Sequence, residues 1–115
     1  MTDTAPAREP SGAEKMFGDC APGLVHLTDD VLFGEVWKRP QLTPRDRSLI
    51  TVAALVATYR PEQLASHLTR AIANGVTQEE ITEVITHMAF YAGWPAAMSA
   101  AQVAYTVLVE GGRGE

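Results

Sequence analysis

Five stretches of the chain repeat apolar residues at the three- and four-residue spacing of an α-helix, and none shows the clean alternation of a half-buried strand. The pattern predicts an all-α fold of about five to six helices. The first stretch, residues 28–38, offers Thr28, Asp29 or Asp30 as a cap, sets Val31, Leu32, Val36 and Trp37 on one side, and closes at Arg39-Pro40. The second opens with Thr43 as N-cap, Pro44 at the first helical position and Asp46 in the first turn, then runs through Ser48 to Ala57. Apolar residues occupy every side of this helix, which predicts burial all round. A lone domain of this length can hardly enclose it, so a subunit interface is expected to cover part of it. The third stretch, Pro61 to Ala73, carries a stripe of Leu64, Leu68, Ala71 and Ile72 and exits through Asn74-Gly75, a pair suited to a left-handed C-terminus. The fourth starts from a capping box of Thr77 and Glu80 and lines one face with Ile81, Val84, Ile85, Met88 and Ala92 before Gly93 breaks it. The fifth opens at Trp94-Pro95, continues to Glu110 and ends at Gly111-Gly112.

Residues 1–12 mix Pro6, Pro10, Ser11 and Gly12 with charges and read as a disordered arm, leaving residues 13–115 as a single helical domain. A chain of 115 residues buries only about two thirds of its unfolded surface, a modest core that again points to self-association. Composition narrows the function. Nine basic against fourteen acidic residues give a net charge of -5, and the basic residues are scattered, so the electrostatic footprint for nucleic acid is missing. The richest apolar run, Leu49 to Ala57, falls well short of the about 20 residues that span a bilayer, so no membrane role is expected. The first residues lack a basic region followed by an apolar one, which points away from secretion and toward the cytoplasm. Cys20 is the single cysteine, so intramolecular disulfides, thiolate zinc clusters and a CxxC redox centre are all excluded.

The candidate chemistry lies on the third and fourth helices. Glu83 and His87 are one turn apart on a polar stripe that borders the apolar face, with Glu80 and Tyr91 nearby. A carboxylate so placed can hold an imidazole nitrogen and tune it for proton transfer near neutral pH, although the same spacing also describes an ordinary surface ion pair. His67 falls at the edge of the third helix's apolar stripe, where it can reach a cleft or serve as a hydrogen-bonded core-edge residue. His26 has no patterned neighbour. No two histidines have i,i+4 spacing, so no metal site is expected. Arg39, Arg45 and Arg47 gather around Pro40 and the start of the second helix, as a carboxylate clamp or as solvated helix-end charges. Trp37, Tyr91 and Trp94 suit either an apolar pocket wall or the core.

Several of these residues also occur together as ordered motifs. The run Leu32 to Thr43, then Arg47-Ser48-Leu49-Ile50-Thr51, His67-Leu68 through Asn74-Gly75-Val76-Thr77, Glu79-Glu80-Ile81, Glu83-Val84 and Tyr91-Ala92-Gly93-Trp94-Pro95-Ala96-Ala97 resembles the carboxymuconolactone decarboxylase family over roughly residues 30–105. The resemblance implies an all-helical alkylhydroperoxidase-like fold assembled as a homo-oligomer, a hexamer or trimer. It also divides the chemistry. Peroxidase members carry a CxxC followed by a histidine on the last helix, where this chain has Pro95, Met98 and Gln102, so the disulfide-forming cycle is excluded. Decarboxylase members convert 4-carboxymuconolactone to an enol-lactone with loss of carbon dioxide, in the breakdown of aromatic compounds. On that pattern His67 would be the general acid or base, Glu83 would orient or tune a neighbour, Arg39 or Arg47 would hold the carboxylate, and Tyr91 and Trp94 would form the wall; His87 joins the candidate catalytic residues through its spacing from Glu83. No cofactor is implied, since the unsaturated lactone is its own electron sink. At His87 and Trp94 the chain departs from the pattern of the decarboxylases themselves, which brings in other carboxylated lactones or related acids as substrates. The alternative of a different class is a non-catalytic oligomer that binds a small acidic or aromatic molecule.

Overall fold

The structure is a computed structural model and describes residues 9–111. Most of the arm expected over residues 1–12 thus lies outside the described residues, as does the end of the chain after Gly111. The chain divides into two compact units, one ending at Pro40 and the other beginning at Gln41.

In the first unit, Ser11 is a helix cap rather than part of a loose arm. Its hydroxyl accepts from the Glu14 amide at 3.0 Å while the Glu14 carboxylate accepts from the Ser11 amide at 2.8 Å, a closed capping box that starts α1 (Gly12–Phe17). The same hydroxyl donates to Asp29 Oδ2 at 2.6 Å. A second helix, α2 (Pro22–His26), continues directly into a wider π-helical segment, Leu27–Phe33, and a 3-10 turn follows at Val36–Lys38. The single amphipathic helix expected over 28–38 is therefore corrected. The chain is already helical from Pro22, so Thr28 is interior and its hydroxyl turns back to donate to the Leu24 carbonyl at 2.8 Å, while Asp30 meets His26 Nδ1 at 2.8 Å. Phe33 and Trp37 pack with ring centroids 5.6 Å apart.

The second unit holds α3 (Pro44–Ala57), α4 (Pro61–Ala73), α5 (Gln78–Ala92) and α6 (Trp94–Ala104), the last extended by a π-helical segment, Tyr105–Glu110. No strand occurs among the described residues, and the fold is all-α. Punctuation explains the boundaries. Thr43 caps α3 by accepting from the Asp46 amide at 3.1 Å, and Thr77 and Glu80 close the capping box of α5. After α4 the chain turns at Gly75, whose φ of 98° is left-handed, and the Val76 amide donates back to the Ala71 carbonyl at 2.9 Å. That return buries Val76 under the helix it has just left.

Helix α3 packs on α4 and α5, and α6 packs on α5 and α4. Their shared core joins Val52 and Val56 to Leu64, Leu68 and Ala71, then to Ile81, Ile85 and Ala89, and to Ala97, Ala100 and Ala104. Each buried leucine or isoleucine contributes about 1.5–3 kcal/mol by leaving water. Among the described residues Ser48 is the one buried polar side chain; its oxygen accepts from Asn74 Nδ2 at 3.0 Å, tying the start of α3 to the end of α4. One expectation changes here. Ile72 is 43% exposed, because the contact stripe on α4 ends at Ala71 and the next residue lies about 100° round the helix. Helix α3, apolar on every side, is only partly covered, as expected for so short a domain: Ser48, Val52 and Val56 are buried, but Ile50 is 55% exposed and Ala54 and Ala57 are exposed too.

Candidate active site

The flanks of α3 and α5 diverge to leave an open groove of about 380 Å³. Its α3 wall is Leu49 and Ala53, one turn apart; its α5 wall is Glu80, Glu83, Val84, His87 and Met88. The i, i+3, i+4 and i+7 spacing of these α5 residues places them on one face. Apolar side chains thus form the floor, and two carboxylates and an imidazole stand along one edge. That combination suits a small, partly apolar molecule with a reacting polar end.

The edge residues are held differently. Glu80 accepts from the Thr77 amide at 2.9 Å and forms an ion pair with Arg45 from the first turn of α3. The Thr77 amide, then the Arg45 hydrogen bond, hold its carboxyl below the usual carboxylate range. Arg45 also approaches Asp46 at 3.9 Å. Glu83 is exposed, and among the described residues no hydrogen bond or ion pair joins it to His87. The His87 ring instead stacks on Tyr91, with centroids 4.8 Å apart and planes inclined by 27°. The spacing of Glu83 and His87 is as the sequence suggests, but the imidazole turns toward the next turn of the helix, where an aromatic face covers one side of it.

Trp94 opens α6, with its ring meeting Phe90 edge-on at 5.2 Å; it is 56% exposed and Tyr91 is 77% exposed. They form an outer aromatic surface and are not among the residues that line the α3–α5 groove. His67 projects from α4, half-buried, with its Nδ1 inaccessible to solvent. Burial first, and the nearby Arg70 charge second, hold its imidazole below its ordinary value, so the neutral ring prevails at pH 7. Arg47 is half-buried on α3 with its Nε covered, and neither it nor His67 lines the groove. Arg39 is exposed in the first unit. Glu83 and His87 are therefore brought together, Tyr91 touches His87, and His67 and Arg47 stand elsewhere. Glu80, which the sequence places both in the capping box and on the polar stripe of Glu83 and His87, lines the groove with them, although the sequence does not mark it as a candidate catalytic residue. Among the described residues no group of three or more His, Cys, Asp and Glu side chains is arranged to hold a metal ion.

The sequence pattern of the carboxymuconolactone decarboxylase family matches residues 22–106. The chain belongs to this family. Its similarity to 4-carboxymuconolactone decarboxylase of Acinetobacter baylyi is 45% identity over 75 residues, 65% of this chain and 56% of that protein. With nitrosuccinic acid decarboxylase of Metarhizium robertsii it shares 40% over 79 residues, 69% of this chain and 54% of the other. A 15.0 kDa protein of Paracoccus denitrificans, encoded between nqo9 and nqo10, is 31% identical over 83 residues, 70% of this chain and 62% of that one. The chain thus matches between 54% and 62% of the length of these relatives. The family match takes in the whole α3–α5 groove.

Proposed function

We propose that this protein is a cofactor-independent carboxy-lyase acting on a small carboxylated lactone or related acid, with 4-carboxymuconolactone the first substrate to test. The observation that carries the reading is that Glu83 and His87, one turn apart and not bonded to each other, both line a groove that also has apolar walls. Two family relatives named as decarboxylases support it. The electrons of the breaking carbon–carboxylate bond pass into the conjugated lactone as carbon dioxide leaves, and a proton must then reach the resulting carbon. His87 delivers that proton, with Tyr91 fixing its ring and Glu83 directing the substrate or the replacing water. The proposal gives this role to His87, which lines the groove, and not to His67, which sits on α4 outside it. Arg39 and Arg47 remain candidates to hold the departing carboxylate on residue chemistry alone, since neither lines the groove.

The uncovered side of α3 and the surface of Phe90, Tyr91, Trp94 and Met98 favour a homo-oligomer, a trimer or hexamer, whose further copies cover these apolar residues. Breakdown of aromatic compounds in the cytoplasm is the corresponding role. The test is release of carbon dioxide from 4-carboxymuconolactone by the purified protein. His87→Gln and Glu83→Gln are each expected to lower kcat by about 10²–10⁴-fold with the helical spectrum and oligomer mass unchanged. Tight binding of the lactone without any turnover would refute the lyase reading and establish the non-catalytic alternative.

A further inference from the structure

The groove carries two carboxylates, Glu80 and Glu83, yet the substrate class proposed above is itself anionic. Unscreened, such an edge would repel its own ligand. Arg45 is placed to prevent this. It comes from the first turn of α3, reaches across to α5 and pairs with Glu80, a partner 35 residues away in sequence and already fixed by its capping-box bond to Thr77. Glu83 has no such counter-charge on the groove edge.

We infer that the Arg45–Glu80 ion pair is a specificity-determining device: it cancels one carboxylate of the α3–α5 groove and so lets a carboxylated ligand lie against Glu83 and His87. Arg45 acts through Glu80 and is a positioning residue. The inference rests on the proposed class of anionic ligand, but not on turnover. Loss of Arg45 leaves Glu80 as an uncompensated negative charge. At on the order of 8 Å from a bound carboxylate in a solvent-open groove, such a charge changes affinity by about two- to sixfold at low salt, and by less as salt rises.

The experiment is calorimetric titration of the full chain at low and high salt with two probes, 4-carboxymuconolactone and its dimethyl ester, in which both carboxylates are masked and the charge is zero. Arg45→Ala is expected to weaken the acid by about two- to sixfold relative to the ester, with the difference shrinking at high salt. Glu80→Gln, which leaves the guanidinium in excess, is expected to shift the ratio the opposite way. Joining Arg45→Ala to Glu80→Gln is expected to return the ratio close to wild type, since charge rather than a bridge is what matters. Arg45→Lys keeps the charge and the wild-type ratio, and serves as the reading if the alanine variant fails to fold. The inference is overturned if acid and ester weaken together, if the combined variant is as poor as Arg45→Ala, or if Lys behaves as Ala does. Binding with the expected ratios but without carbon dioxide release would overturn the lyase reading alone; turnover with unshifted ratios would overturn this inference alone; binding of neither probe would overturn both.

Discussion

The turn between the groove helix and the last helix rests on one residue, and replacing it has a cost that follows from the backbone alone. Gly93 has φ 100° and ψ 152°, a region in effect closed to residues with a Cβ. A Cβ built there meets nothing closer than Pro95 Cδ at 3.9 Å, an ordinary contact, so no steric clash with neighbours adds to the penalty. Gly93→Ala should therefore destabilise the fold by the conformational term only, about 1–3 kcal/mol. On a small domain each kcal/mol corresponds to about 4–8 °C in Tm. The assay is urea unfolding followed by far-ultraviolet circular dichroism, in which the midpoint falls while the slope with denaturant stays constant. Gly75→Ala is the companion, at φ 98° and also in open space, with an expected loss of about 1–2 kcal/mol. A Gly93→Ala protein within about 0.5 kcal/mol of wild type would refute the reasoning, since it would show that the α5–α6 turn relaxes into a conformation open to all residues.

Two further predictions concern the core and its titration. The lowered imidazole of His67 means that the unfolded chain takes up its proton at higher pH than the folded protein does. Its contribution to stability is therefore complete above the unfolded value of 6.5 and is lost as pH falls from there through the folded value, with a slope no steeper than about 1.4 kcal/mol per pH unit. Urea midpoints measured across this range should show that slope in wild type and less of it in His67→Gln; equal slopes would remove His67 as the cause. Leu68 is fully buried, so Leu68→Ala should cost about 2–5 kcal/mol by calorimetry, and a loss below about 1 kcal/mol would mean that α3 and α6 collapse into the vacated space.

The helices of the second unit were legible wherever a side chain or a turn residue acts on its own backbone. Pro61 and Asn74-Gly75 bound α4, and Thr77 with Glu80 starts α5, because each signal works within three or four residues. The first unit was harder. Ser11-Gly12-Ala13-Glu14 contains the capping-box spacing, but Pro10 and Gly12 give it the composition of a loose arm. Thr28 has the chemistry of a cap and is interior only because α2 precedes it. At the site, the spacing of Glu83 and His87 located one edge of the groove. The opposite wall, and the Arg45–Glu80 pair, are products of how α3 and α5 meet, which no local pattern encodes. The rotation of His87 toward Tyr91 is likewise a choice among rotamers that spacing leaves open.

Where α5 packs on α6, the buried alanines Ala89 and Ala97 form a seam with side chains that can scarcely be made smaller. Growth there meets a filled interior and is resisted. On the other flank of α5, Ala53 and Met88 border an open groove, where a larger or smaller side chain changes the space offered to a ligand. The same helix thus has one side fixed by packing and one side free to vary. On the proposed reading, substitutions on the α3 side alter which ligand fits while the seam keeps Glu83 and His87 in place, which makes the groove walls the place to direct mutational libraries.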